Sequence, residues 1–328
     1  MSLQIIKAGI LDTIQDSGRF GFQHLGINSS GAIDKYAFQL SNALLGKPLN
    51  SPAIEIHFPA SVFLFQKDSI FVITGADFSP SINGKRLPIG QPVAIAKSNT
   101  LKFEKVISGA RCYLSIIHNL KSDVWLDSAS TNLHLGAGGH IGRRFIKNDV
   151  IEFTGKLQIG SLQEINNSYK ILPWGKQNQT ELNNNEIRFM EGNEWEWLTP
   201  QSKEALINSL FQISPMSDRM GYRLKSTNLK VIEDQSMLSS AVTFGTMQLL
   251  PDGQVIVLMV DHQTTGGYPR IGHVITADLP LLAQKIPSNK FKFIKSNQNV
   301  GWSELKNQKI YLENIREICN LKISKLIK

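Results

Sequence analysis

The nine residues 261–269, with the sequence DHQTTGGYP, follow directly after the most apolar run of the chain. A loop that leaves the end of a buried strand is a common place for a site. Gly266 and Gly267 can adopt a positive φ and leave backbone N–H groups uncovered, which would suit an anion or oxyanion. Side chains with useful chemistry come from Asp261, Thr264, Thr265 and Tyr268. The alternative interpretation is a tight turn with capping hydroxyls.

A second candidate is the segment 217–224, SDRMGYRL, which places Arg219 and Arg223 four residues apart with Tyr222 between them. Guanidinium groups bind carboxylates and phosphates bidentately. The segment therefore predicts an anion-binding site. The alternative is a set of surface ion pairs with nearby acids, which contribute little to stability.

Weaker candidates lie nearer the N-terminus, where Asp16 and Arg19 occur in a glycine-rich stretch and Asp77 ends an apolar strand. Each has a structural interpretation, as a local ion pair or a turn residue. The sequence GAGGHIGR at 136–143 lacks the third glycine of a dinucleotide-binding loop, and no convincing helix follows it. Seven scattered histidines and two distant cysteines predict no metal site.

Short strands separated by turn signals dominate the first 160 residues. Asn83-Gly84 is a strong hairpin signal, and Asp34 can cap a helix that ends near Gly46. This pattern predicts a mixed β-barrel or sandwich rather than alternating strands and helices. The strands are predicted at Leu3–Lys7, Ala53–Phe58, Val62–Phe65, Ser69–Thr74, Phe78–Ile82, Pro92–Ala96, Thr100–Phe103 and Arg111–Ile117.

A polar, Asn-rich stretch predicts a linker at 161–185, between an N-terminal β-rich domain (1–160) and a C-terminal domain (186–328). In the second domain Thr199-Pro200 predicts the start of a helix. Strands are predicted at Thr246–Leu250 and Gln254–Val260, and a charged helix from about Ser303 ends the chain.

Composition narrows the function classes. The longest apolar run has six residues, Val255–Val260, against about 18 for a membrane span, and no signal peptide is recognisable. We therefore expect a cytoplasmic protein without a membrane partner. The formal net charge is +8, and residues 285–328 carry ten Lys or Arg against three Glu. No nucleic-acid-binding motif accompanies these charges, which favours a solvated surface over a nucleic-acid partner.

Taken together, the motifs resemble the allophanate hydrolase subunit 2 family, also called the biotin-dependent carboxyltransferase family. The resemblance extends from about Ile5 to Phe293 and implies a mainly β fold with a few helices and cyclophilin-like barrel architecture in two packed units. Ser240 stands where the family commonly has a glutamate, which puts in doubt any activity that needs a carboxylate there. The resemblance is carried by TIQDSGRFGFQHLG, SSGAID, TGAD, SDRMGYRL, and DHQTTGGYP followed by AQK.

The resemblance implies a component of a bacterial ATP-dependent 5-oxoprolinase, which opens the lactam of pyroglutamate to glutamate. Such a chain would be active only with a KipI-like B-type subunit and an A-type subunit, and ATP would serve the complex. For the small anionic substrate we expect binding by Arg219 or Arg223, an oxyanion contact from the loop Thr265-Gly266-Gly267, and a base or orienting group in Asp261. Tyr268 would close the site.

Two alternatives remain open from the sequence. One is a carboxyltransferase component of a urea-type carboxylase, with biotin as cofactor, although the chain has no biotinyl-lysine motif and no recognisable ATP-grasp segment. The other is a KipA-type protein that binds a KipI-like inhibitor of a sensor kinase and catalyses nothing. The Ser240 departure mildly favours the second.

Overall fold

The computed structural model describes residues 2–155, 168–176, 184–233 and 237–327. Its contacts divide the chain into two compact units. Unit 1 contains Met1–Gly18, Asp34–Gln179 and Lys309–Lys328, and unit 2 contains Arg19–Ile33 and Thr180–Gln308. A single linker does not give this division, because one early segment belongs to unit 2 and the last residues belong to unit 1.

Unit 1 is built from two antiparallel sheets, the helix α1 (Lys35–Ala43) and the C-terminal part of a long helix described below. The first sheet has the strand order β11-β12-β1-β4-β9-β6-β7, and the second has β13-β8-β5-β10-β3-β2. The strands are β1 (Ser2–Lys7), β2 (Thr13–Gln15), β3 (Ala53–Ile56), β4 (Val62–Phe65), β5 (Ser69–Asp77), β6 (Pro80–Ile82), β7 (Lys85–Arg86), β8 (Val93–Ile95), β9 (Thr100–Phe103), β10 (Ser108–Ile116), β11 (Asn119–Leu120), β12 (Val150–Thr154) and β13 (Tyr169–Ile171).

Strand β5 shows that the second sheet is covered on both faces. Its residues Phe71 and Ile73 belong to a core shared with strands of the first sheet, while Ile70 and Val72 belong to a different cluster. That second cluster includes the buried face of α1 and three residues near the end of the chain, Leu312, Cys319 and Ile323. A strand that is covered on both faces reads as a near-continuous apolar run, as Ile70–Ile73 does.

Helix α1 begins and ends where the sequence predicts. The Asp34 side chain accepts a hydrogen bond of 2.8 Å from the backbone N–H of Ala37, which satisfies one of the free donors of the first turn. Gly46 follows the helix with a φ of +66°. Strand β13 lies within the stretch 161–185 that the sequence predicts as a linker; 161–167 and 177–183 are outside the described residues.

Unit 2 contains a closed barrel, which confirms the expected mainly β architecture. Its strand order is β14-β21-β18-β19-β16-β15-β22, with β14 and β22 parallel and the other neighbours antiparallel. The elements of this unit are β14 (Glu186–Glu191), α2 (Pro200–Asn208), β15 (Phe211–Ile213), β16 (Gly221–Lys225), β17 (Ser240–Ala241), β18 (Thr246–Leu249), β19 (Val255–Leu258), β20 (Thr265–Gly266), β21 (Arg270–Val274), α3 (Leu279–Ala283) and β22 (Lys290–Lys295).

Aromatic rings fill the barrel. Phe211, Phe291 and Phe293 contact one another, with ring centroids 5.0 to 6.2 Å apart. On β22 the phenylalanines alternate with exposed Lys290 and Lys292, as the period-two pattern of the sequence predicts. A long helix, α4 (Gln298–Ile323), follows, and residues 309–323 of it belong to unit 1. Among the described residues, no helix is both long and apolar enough to cross a membrane.

A first prediction concerns Gly46, where a Cβ atom would lie 2.5 Å from the Cα of Asn320 on α4. Gly84 is the matched control, because its φ is also positive (+74°) and a Cβ there would have no neighbour within 4 Å. We expect Gly46→Ala to lower the thermal midpoint much more than Gly84→Ala, since both replacements carry a backbone strain of about 1–2 kcal/mol but only the first forces α4 away. Equal losses by thermal melting would contradict this packing argument.

Candidate functional site

The two motifs with the most chemistry meet at a buried ion pair in unit 2. Arg219 lies just before β16 and Asp261 just after β19, and these antiparallel strands pair Gly221 with Leu258. Arg219 Nε donates to Asp261 Oδ2 at 2.7 Å, and Nη2 donates to Oδ1 at 3.4 Å. The side chains are 7% and 3% exposed. The sequence therefore brings the expected arginine to the expected loop.

This pairing also determines what the two groups are free to do. Arg219 Nη2 donates to the backbone oxygen of Gly31 at 2.7 Å, and Asn28 Nδ2 donates to the backbone oxygen of Asp261 at 2.8 Å. The guanidinium charge is therefore already neutralised, and both carboxylate oxygens accept hydrogen bonds. An anion-binding role for Arg219 or a base role for Asp261 would require this pair to open, and both roles stay predictions.

The two arginines of SDRMGYRL do not act as one clamp. Arg219 is buried, whereas Arg223 lies on β16 with an exposed side chain. The Tyr222 side chain lies on the opposite face of the strand from that of Arg223; it is 2% exposed and belongs to the barrel core. Period-two alternation turns Tyr222 and Arg223 to opposite faces of the strand. Arg219 differs from Arg223 because it lies before β16 begins and pairs with Asp261. A substrate-binding role for Arg223 or Tyr222 remains a prediction.

The diglycine loop has a different backbone from the one expected. Residues Thr265–Gly266 form β20, which pairs with β17 so that Ser240 lies opposite Gly266. Neither Gly266 nor Gly267 has a positive φ, so the expectation of a left-handed bend is wrong. A Cβ at Gly266 would lie 2.6 Å from Gln248 Nε2, so a side chain here would displace that amide. Thr264 is half-buried and Thr265 is exposed.

An open cavity of about 460 Å³ lies beside this loop. Tyr268 is 43% exposed on its lining, next to Gly267. Among the described residues of the lining, Lys230 and Glu233 are charged, and the others are mostly apolar. Arg219, Arg223 and Asp261 are not among the lining residues, which are Trp197, Leu229, Lys230, Val231, Glu233, Met237, Leu249, Leu250, Pro251, Gly253, Gly267, Tyr268 and Pro269.

The remaining predicted residues have structural partners. In unit 1 the Asp16 carboxylate accepts hydrogen bonds from two backbone N–H groups and two serine hydroxyls, and thereby organises a loop. Asp77 of the same unit forms a surface ion pair with Arg86 at 2.5 Å. In unit 2 the Arg19 side chain is buried, and its backbone N–H donates to the backbone oxygen of Ser29. Substrate binding by these three residues remains a prediction.

Sequence reasoning missed two interacting histidines, the buried His262 next to Asp261 and the half-buried His273. His262 is 1% exposed, and its Nδ1 lies 2.5 Å from the backbone oxygen of Gln263. Burial lowers the pKa of His262 and of His273, and the proximity of His262 lowers that of His273 further. Both rings are therefore neutral at pH 7. The described residues contain no group of three or more His, Cys, Asp or Glu that could hold a metal ion.

Comparison with known proteins agrees with this architecture. The model of the carboxyltransferase domain, subdomains A and B, matches residues 25–295. The chain belongs to this carboxyltransferase family, as the sequence motifs indicate.

Two bacterial relatives match along almost their whole length, and both are named as the C-type component of 5-oxoprolinase. The protein from Escherichia coli K12 is 34% identical over 95% of this chain and 97% of its own length. The protein from Haemophilus influenzae is also 34% identical, over 94% of this chain and 96% of its own length. The similarity to this 5-oxoprolinase component thus extends over nearly all of both sequences.

Longer relatives carry the same domain as one part. Saccharomyces cerevisiae urea amidolyase is 25% identical over 96% of this chain but only 18% of that protein. The crystal structure of the Kluyveromyces lactis urea amidolyase superposes with a TM-score of 0.84 at 22% identity, over 96% of this chain and 20% of that one. That of TTHA0988 gives 0.75 at 25% identity, over 89% and 55%. The similarity to the K. lactis structure shows that the two chains share a fold.

The second prediction tests the buried pair. We expect Arg219→Met and Asp261→Leu each to lower the free energy of unfolding by about 3–5 kcal/mol, because each leaves one charge buried without its partner. The double variant should lose clearly less than the sum of the two, since no lone charge remains. Urea denaturation followed by fluorescence measures all three. Strictly additive losses would show that the two side chains do not depend on each other.

Proposed function

We propose that this chain is the C-type component of an ATP-dependent 5-oxoprolinase that opens the lactam of 5-oxoproline to give L-glutamate. The observation that carries the proposal is the nearly full-length similarity to two bacterial proteins that bear this name. Because the name describes one of several chains, we propose that activity requires a KipI-like B-type subunit and an A-type subunit. Since ATP drives the reaction, we propose that the complex works in the cytoplasm.

Within the complex, the chain would contribute the cavity beside Gly267 and Tyr268. Lys230 is a cation of its lining, and a substrate carboxylate would pair with it. The exposed hydroxyl of Thr265 lies on the same loop and can donate to an oxygen that gains charge as the amide opens. Tyr268 would cover the bound lactam. We assign no ATP-binding residue to this chain, and ATP would bind elsewhere in the complex.

The ion pair gives a reason for the need for partners. The Arg219 guanidinium is neutralised by Asp261 and does not line the cavity, so it adds little positive potential there. In the described part of the lining, one lysine and one glutamate among mostly apolar residues give weak selectivity for a small anion. Residues of the other proteins in the complex would therefore complete the binding of the substrate and supply the groups that activate the lactam.

The third prediction tests this site in the reconstituted complex. Lys230→Met should raise the KM for 5-oxoproline about tenfold and leave kcat within about twofold, because it removes one charge-assisted hydrogen bond from the bound substrate. Lys225→Met, at an exposed position of β16 outside the cavity lining, is the matched control. Glutamate release and ATP hydrolysis are the readouts, with each protein of the complex omitted in turn.

Two outcomes would contradict the proposal. If the complete mixture opens no 5-oxoproline, or opens it equally well without this chain, the assignment to a 5-oxoprolinase fails. If Lys230→Met and Lys225→Met give the same KM as the unmodified chain, the assignment of the cavity as the substrate site fails. The first result concerns the complex and the second concerns only the site.

A carboxyltransferase role is the second candidate, and the family of the domain favours it. The fungal relatives are named urea amidolyases and contain this domain within much longer chains. Under this alternative a separate biotinylated carrier protein would bring the carboxyl group, since the chain has no biotinyl-lysine motif. Carboxylation of urea that depends on a biotinylated carrier, together with absence of lactam opening, would favour it.

A KipA-type binding role is the third candidate. The neutralised Arg219 and the mostly apolar cavity are features that favour contact with a protein over catalysis. This alternative predicts a tight complex with a KipI-like chain and no turnover of either substrate. Size-exclusion chromatography with light scattering, run beside the activity assay, separates it from the two enzymatic candidates.

A further inference from the structure

Strand β18 forms hydrogen bonds with the end of the loop 261–269, which contains Gly266 and Gly267. Gln248 on this strand is 1% exposed, and its Nε2 donates to the backbone oxygen of Tyr268 at 3.3 Å. The next residue, Leu249, donates its backbone N–H to the oxygen of Pro269 at 3.0 Å. Two consecutive residues of one barrel strand therefore bind two of the loop residues that line the cavity.

The same glutamine packs closely against Gly266. A Cβ at Gly266 would lie 2.6 Å from Gln248 Nε2 and 3.4 Å from its Cδ, and the first distance is shorter than side chains tolerate. The backbone φ of Gly266 is not left-handed, so the main chain itself would accept an alanine. A side chain at position 266 would therefore displace the Gln248 amide, which is the movable end of that side chain.

Strand β17, which pairs with β20 of the loop, provides less support. Ser240 pairs with Gly266 through β17, and its hydroxyl is buried. Within the described part of the chain this hydroxyl has no hydrogen-bond partner. Gln248 is thus the side chain that reaches the loop with both a hydrogen bond and a tight contact.

We propose that Gln248 is a positioning residue that holds Gly267 and Tyr268 at the cavity and thereby sets the affinity for substrate. It acts through the Tyr268 carbonyl and the surface of Gly266, without touching the substrate. Because the ring of Tyr268 follows its backbone, a loop that is released from Gln248 presents this ring to the cavity in several orientations. This inference rests on the proposed function, since the cavity is taken as the substrate site.

The fourth prediction replaces Gln248 in the reconstituted complex. Gln248→Met keeps the length but cannot donate, and Gln248→Glu keeps the shape but presents an ionised acceptor to a carbonyl oxygen. We expect both to raise the KM for 5-oxoproline at least tenfold and to leave kcat within about threefold. Gln212→Met is the matched control, since Gln212 is a half-buried barrel residue on β15 that does not line the cavity. A KM change below twofold in both Gln248 variants would overturn the proposal.

Dependence on pH separates positioning from general damage. The Gln248→Glu side chain regains a donor when its carboxyl is protonated, so its KM should approach that of the unmodified complex as pH falls from about 8.5 to about 5.5. Arg270 lies opposite Gln248 on β21 and is already bound to Glu194, so the two charges on that side offset each other. The KM defect of Gln248→Met should be the same at every pH. A pH-independent defect in Gln248→Glu would contradict the hydrogen-bond part of the proposal.

A stability measurement tests the packing of Gln248 against Gly266 without an activity assay. Gly266→Ala should lower the thermal midpoint in the unmodified chain, because the Gln248 amide must leave its hydrogen bond with Tyr268 to make room. The loss should be much smaller in a Gln248→Ala background, where the amide no longer fills the space. Gly267→Ala is the matched control for stability, because a Cβ there would make ordinary contacts of 3.4 and 3.5 Å, and its cost should be equal in both backgrounds.

Equal costs of Gly266→Ala in the two backgrounds would overturn the packing part. If the unmodified complex opens no 5-oxoproline, the proposed function fails, yet this coupling still shows whether Gln248 holds the loop.

Discussion

The ion pair between Arg219 and Asp261 constrains much of the barrel unit. A guanidinium and a carboxylate that are both almost fully buried can stay charged only if they remain together and have their hydrogen bonds satisfied. The pair fixes the start of β16 to the end of β19. Through the carbonyl of Gly31 and the amide of Asn28, it also ties an early segment of the chain to the barrel. This explains why residues 19–33 belong to unit 2.

The burial and pairing of residues change along the loop that begins at Asp261. Its first residues are buried, polar and paired, whereas its last residues line an open, mostly apolar cavity. A rigid start and a supported end let such a loop hold side chains at a surface without a long helix or strand of its own. The chemistry of the cavity is sparse, which agrees with a chain that works as one component of a larger enzyme.

Much of the fold could be predicted from the sequence. The alternation on β22, the cap at Asp34 and the hairpin at Asn83-Gly84 are local signals that the structure confirms, because short-range sterics and burial decide them. The division into units could not be predicted, since it depends on contacts between residues far apart in the chain. Local composition does not determine such contacts.

The candidate site was only partly predictable for the same reason. The meeting of Arg219 with the 261–269 loop follows from two motifs that end neighbouring strands. That Asp261 would neutralise the arginine, and that Gly266 serves packing rather than a left-handed turn, depend on three-dimensional contacts. Gln248 carries no sequence signal of its own, because a lone glutamine in an apolar strand does not reveal what it touches.

The last turns of α4 complete a core that begins at residue 40. Leu312, Cys319 and Ile323 cover the outer face of the second sheet of unit 1 together with Leu40 and Leu44, from α1 and its C-terminal cap. During synthesis the share of this face that α4 covers stays exposed until α4 has left the ribosome, while Leu40 and Leu44 can already pack on it. A chain interrupted before α4 would leave apolar residues such as Ile70 and Val72 only partly covered.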